Sequence, residues 1–218
     1  MKLIQRNSIL AVSALVALSG CATTTTVSEN PTSMKLEPME KPEIVAGTRI
    51  QQLDKISGEE RYYEIIKINE DGTHSGVNQD GCQWSNFGDH VSPATSWGNC
   101  GGTGEWTSGE NRDMKVSGNI WPLTVGNKAS YSYTQVNAYG DVKKKTSRKC
   151  KVDSQVNIET ALGSMDTFKI ICSRRSGDWS QTRVYYFSPD YGHSVKYVQS
   201  SSSDGIERDT ELLRVDTL

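Results

Sequence analysis

Histidine is scarce in this 218-residue chain: there are three, His74, His90 and His193. No His-Glu-x-x-His pair, EF-hand ladder or P-loop occurs, so the common zinc-hydrolase, calcium-loop and nucleotide signatures are excluded. No Gly-x-Ser-x-Gly elbow is present either. After the first twenty residues there is no long hydrophobic run, which rules out a helical polytopic membrane protein. Nor is there an excess of one charge. Twenty-four basic residues face 26 acidic ones, for a net charge of -2, so no global basic field draws the chain onto nucleic acid. Hydrophobic residues make up only 35%, low for a globular domain. These shortages predict no metal set, no cofactor and no enzyme activity. Asp89-His90 and Asp190 with His193 place a carboxylate near an imidazole, but both pairs fall in expected loops.

What is present begins with an address. Lys2 and Arg6 precede an apolar run from Ile9 to Leu18. At about 1.5 Å per residue that run covers roughly half a hydrocarbon core, which fits a secretory signal and not a membrane span. It ends in Leu18-Ser19-Gly20-Cys21, which resembles the lipobox of bacterial lipoproteins. The resemblance implies cleavage after Gly20 and lipidation of Cys21 by acyl chains of the palmitate class. Two or three chains anchor stably where one does not. Ala22, in place of an inner-membrane-retaining Asp, implies the outer membrane with the protein facing the periplasm. Removing residues 1–20 takes Lys2 and Arg6 and no acid, so the formal charge moves from -2 to -4.

In an oxidising envelope, Cys82, Cys100, Cys150 and Cys172 read as two disulfides. Of the three pairings, the local ones, Cys82–Cys100 and Cys150–Cys172, are preferred. Each closes a loop of about 20 residues, worth roughly 3 kcal/mol in the chain-entropy model.

Residues 21–45 hold Thr, Glu and Pro without apolar period and predict a flexible tether. Its coil dimension is about 27 Å and its full reach roughly 80 Å. Residues 46–218 then form the domain. Alternating runs at 61–69, 129–136, 151–160, 167–173, 182–188, 193–199 and 205–215 are separated by Gly, Asp and Ser turns. This predicts an all-β fold, a single antiparallel sandwich or partly open barrel. In the third run Val152, Val156 and Ile158 are expected on one face. A hairpin turning at Leu162-Gly163 brings Cys150 and Cys172 to nearby rungs. Residues 81–118 alternate little and are rich in Gly and Trp, so they read as a disulfide-pinned excursion.

From Trp121 onward, Trp121-Pro122-Leu123-x-Val125-Gly126, Ala161-x-Gly163 with Phe168, and Tyr186-Phe187-Ser188-Pro189-Asp190-x-Gly192-x-x-Val195-Lys196 occur in series. This half is similar to uncharacterised β-sheet domains of bacterial envelope proteins. The resemblance implies a β-meander and carries no activity. Ser188 to His193 is first a hairpin connection, with Pro189 fixing φ.

The expected function is a non-catalytic binding or envelope-maintenance module. Trp84, Trp97 and Trp106 sit among amide and carboxylate residues, as flat rings do where they cover a sugar. They are also the natural mini-core around Cys82–Cys100. Lys143, Lys144 and Lys145 form a separate candidate contact for an anionic polymer or lipid head group. Expected partners are the membrane through Cys21, and peptidoglycan, another glycan or an envelope protein. One alternative is an assembly or lipid-transfer accessory with an apolar cavity lined by Tyr131, Tyr133, Ile158 and Ile170. A remoter one is an envelope hydrolase using His90 or His193.

Overall fold

The computed structural model describes residues 27–32, 35–101 and 104–217. The signal segment, Cys21 and the first tether residues lie outside the described residues. Thirteen strands follow one another: β1 (Glu29–Pro31), β2 (Thr48–Asp54), β3 (Glu60–Ile68), β4 (His74–Asn78), β5 (Gln83–Asn86), β6 (Ala94–Gly98), β7 (Gly109–Asn119), β8 (Lys128–Asn137), β9 (Lys143–Thr160), β10 (Gly163–Ser176), β11 (Trp179–Ser188), β12 (His193–Ser201) and β13 (Gly205–Thr217). No helix occurs among the described residues.

From β2 to β13 every strand pairs antiparallel with its neighbour in sequence, and β13 pairs back onto β2. The twelve strands close into a barrel, the more closed of the two expected all-β forms. Closure leaves no unpaired edge in the ring. β1 lies outside it, paired with the far end of β9. Residues 81–118, read from sequence as an excursion, supply β5, β6 and nearly all of β7. They escaped notice because their inward side chains are Trp and Gly, which give no apolar alternation.

The two local disulfides are the ones formed. Cys150 lies directly opposite Cys172, and Ala129 opposite Cys150. Directly opposed residues point to the same side of a sheet. That side is the barrel interior, where Cys150 and Cys172 pack with Tyr131, Val152, Phe168, Ile170 and Phe187. In β9 the expected single face breaks. Lys169 opposes Ser154 and Ile170 opposes Val152, so Asp153 is an unpaired bulge residue. Val152 stays in the first cluster, whereas Val156 and Ile158 join a second with Met165, Tyr186 and Leu212.

Within the expected tether, residues 27–32 and 35–45 touch the barrel. Their backbone is held at intervals by the barrel. Leu36 exchanges two hydrogen bonds with the Gln155 side chain, at 3.1 and 3.0 Å. Met39 exchanges two with the Leu123 backbone, at 3.2 and 2.7 Å. Val27, Leu36, Met39 and Ile44 each pack on one of the two clusters. The segment shows no period because it docks as an extended strap, one apolar side chain at a time.

The cysteine pairs should behave differently. Cys150 and Cys172 are buried, whereas Cys82 and Cys100 are half-buried. Mild reductant followed by alkylation should therefore label Cys82 and Cys100 first. Cys150→Ala with Cys172→Ala should lower the unfolding free energy in urea by roughly 3 kcal/mol. An unchanged midpoint would refute a stapling role.

Candidate binding site

Because the strands alternate in direction, the β8–β9, β10–β11 and β12–β13 turns lie at one end of the barrel. Near that end the interior face becomes polar. Arg148 opposes Arg174, Arg174 opposes Gln181, and Arg183 opposes both Cys172 and Gln199. All share the side of the Cys150–Cys172 bridge. The Arg148 Nη2 donates to the Tyr185 hydroxyl at 2.8 Å, and the Arg174 Nη2 to the Gln135 Oε1 at 2.5 Å. The Arg183 Nε donates to the Gln181 Oε1 at 2.8 Å. Gln181 and Gln199 both donate to the carboxylate of Glu207. Among the described residues no carboxylate lies within 4.0 Å of the Arg148, Arg174 or Arg183 guanidinium. The Nε atoms of Arg148 and Arg174 are buried without a partner.

The electrostatics follow from this crowding. Burial pushes Arg174 below the usual guanidinium range, and Arg183 and Arg148 nearby add to it. Burial alone would raise the Tyr185 phenol, but Arg148 and Arg183 outweigh it and bring it down. Tyr197 is pushed up to about 12, mainly by burial and against the pull of Arg183. Hydrogen bonds from Ser201, Gln199 and Gln181 hold Glu207 low against its own desolvation.

The tryptophans form the adjoining wall. Trp84 opposes both Trp97 and Gly76, and Trp97 opposes Gly109. Each ring lies over the glycine of the next strand. A Cβ at Gly109 would stand 2.7 Å from the Trp97 ring and 2.5 Å from the Val136 carbonyl, so glycine is what permits this ring position. The Trp97 Nε1 donates to the Trp106 carbonyl at 2.9 Å, and the two rings stack with centroids 6.4 Å apart. The Lys144 Nζ stands 4.7 Å from the Trp106 centroid. Arg174 sits 5.1 Å over Trp179.

Trp84 and Trp97 are thus half-buried on the interior wall, with Trp106 half-buried against Trp97 from the β6–β7 loop, not a sealed core around Cys82–Cys100. The lysine run is not one patch. It forms the start of β9, so Lys144, opposite Gln135, points to the mouth. Lys143 and Lys145 alternate with it and point to the outer face. The missed residues were legible by parity. Arg148 alternates with Cys150 and Val152, Arg174 with Cys172 and Ile170, and Arg183 with Tyr185 and Phe187.

At the opposite end all three histidines meet. The His90 ring is 4.6 Å from His193 and 5.7 Å from His74, between centroids. The Tyr63 hydroxyl bonds the His193 Nε2 at 2.7 Å, and the His193 Nδ1 lies 2.9 Å from the Ser194 carbonyl. A neutral ring with hydrogen on Nδ1 satisfies both. His74 is buried with both ring nitrogens unpartnered. The strap crosses this end, with Pro42 against Gly192. It borders a cavity of about 220 Å³ touching His74 and another of about 170 Å³ touching His90 and His193. Asp89 is engaged by the Val91 and Ser92 backbone and by the Ser92 hydroxyl. No histidine bonds a serine hydroxyl or a carboxylate, and no three-residue metal set occurs, among the described residues. The four residues expected to line an apolar cavity do not share one. Tyr131, Tyr133 and Ile170 pack in the first cluster and Ile158 in the second.

No protein-family model matches the chain. No curated protein matches it. Among solved structures it is similar to the hypothetical lipoprotein YmcC of Escherichia coli, with a TM-score of 0.47 at 8% identity over 80% of this chain and 87% of the other. A hypothetical exported protein with a YmcC-like fold from Bacteroides fragilis gives 0.38 at 10% identity, over 82% and 98%. A hypothetical lipoprotein of Parabacteroides distasonis gives 0.41 at 12%, over 82% and 97%.

The histidine cluster makes stability pH-dependent. Burial pushes all three rings below their usual range, His90 furthest, with His193 and His74 adding to it. Asp89 opposes the shift at His74, and Lys41 reinforces it. Depressed folded values mean full stability above pH about 6.5, lost as pH falls below it because the unfolded chain takes up protons first. Tm should therefore decline from pH 6.5 to 5. His90→Asn should flatten that decline, and an identical profile in the variant would refute the assignment.

Proposed function

We propose that this chain is a lipoprotein anchored through Cys21 in the outer membrane, facing the periplasm, and that it is a non-catalytic module binding a glycan at the polar barrel mouth. One observation carries the reading. Two stacked half-buried indoles, Trp97 and Trp106, stand beside Lys144 at the end of the barrel that carries the amide and guanidinium donors. Rings of this kind cover the apolar face of a pyranose, while amides and cations bond its rim. The non-catalytic part rests on the histidines. Among the described residues, the one hydrogen bond that a histidine makes to another side chain joins His193 to Tyr63, a phenol that burial raises out of the titrating range.

The test is Trp fluorescence titration of the mature lipidated chain in detergent with peptidoglycan fragments and soluble glycans. A saturable change is expected, with Kd weakened at least tenfold in Trp97→Ala at unchanged far-UV circular dichroism. Equal affinity of Trp97→Ala and Lys144→Ala with wild type would remove the mouth as the site.

A further inference from the structure

Resting on that reading, we propose that the glycan is acidic, and that its carboxylate or phosphate is held by the guanidiniums of Arg174 and Arg183, next to the Trp97–Trp106 wall. The argument begins with a missing counter-charge. Arg148 is 2% exposed and directly opposes Arg174, with Arg183 one strand further on. Buried cations are normally paired, because desolvation without a partner is costly. Here none of the three has a carboxylate within 4.0 Å among the described residues. Glu207 reaches Arg183 only through Gln181.

The rest of the molecule shows that this is not a shortage of acid. The chain has more acidic than basic residues. Its buried Lys196 is clasped by two carboxylates, Asp209 at 2.5 Å and Glu211 at 3.0 Å. Where a buried cation is only structural, this chain supplies its partners. At the mouth it supplies neutral acceptors: the Gln135 and Gln181 amides and the Tyr185 hydroxyl. These orient each guanidinium without setting a carboxylate beside it. The Nε atoms of Arg148 and Arg174 are buried without a partner, so the desolvation of this cluster is not offset from within the chain. A planar guanidinium fork matches a carboxylate or phosphate in two-point contact. Arg174 and Arg183 keep partial exposure, unlike Arg148. Lys144 and Gln135 connect them to the tryptophan wall. A sugar on the rings thus brings its acid group to the arginines.

The mature lipidated chain is titrated with oligogalacturonate and with its methyl ester at matched ionic strength. The ester keeps the rings and removes the charge. The acid should bind at least tenfold tighter. In Arg174→Gln, and separately in Arg183→Gln, acid and ester should bind within about twofold of each other. Lys149→Ala, exposed on the outer face, should keep the full ratio. Inorganic phosphate at constant ionic strength should raise Tm by several degrees in wild type and not in Arg174→Gln. Equal binding of acid and ester by wild type, with no phosphate effect, overturns the inference and leaves the glycan reading standing. Phosphate protection without binding of either sugar supports the anion site and overturns the glycan reading. Failure of all three probes overturns both.

Discussion

Twelve strands enclose more space than side chains readily fill, since about eight suffice to make a barrel that its own residues pack. This chain meets that width with only 35% hydrophobic residues. The interior therefore divides. One end is plugged by Val91, Ile120, Trp121 and Leu123 from the loops, with Leu36 and Met39 of the strap added from outside the ring. The other is left to arginine, glutamine, tyrosine and tryptophan. Burying the plug removes large apolar side chains from water, each contributing about 1.5–3 kcal/mol. The polar end receives no such contribution and is held in place by hydrogen bonds along the rungs.

The bulge at Asp153 extends the same economy to the outside. By turning β9 over, it directs Val156 and Ile158 to a second cluster with Met165 and Tyr186. The Glu29 carboxylate accepts from Tyr186 and pairs with Lys169, tying β1 to the same surface. One long strand thus serves the interior with its first half and the strap with its second. The two disulfides pin different regions: one staples the dry core, the other the hairpin beside the tryptophan wall.

The legible and hidden parts of the sequence divide along the same line. Strands with an apolar face, such as 129–136 and 167–173, were visible by alternation, and so was the Cys150–Cys172 rung. Strands whose inward residues are Trp, Gly, Lys or Arg were not, because an apolar period cannot report a polar interior. This hid β4 to β7 and left the start of β9 outside the expected run at 151–160. The histidine cluster was hidden for another reason. His74, His90 and His193 meet only when β13 closes on β2, a long-range event with no local signal. The contacts of the strap left no signal because docking one side chain at a time gives no period. Trp97, Trp106 and Lys144 were found from composition, and the arginines they stand beside were recoverable from parity alone.

The most direct measurement is anomalous diffraction from crystals of the mature chain soaked in bromide. The account predicts the strongest bromide inside the mouth, within contact distance of Arg174 and Arg183. Bromide confined to the outer lysines Lys143, Lys145 and Lys149, with the interior empty, would contradict it.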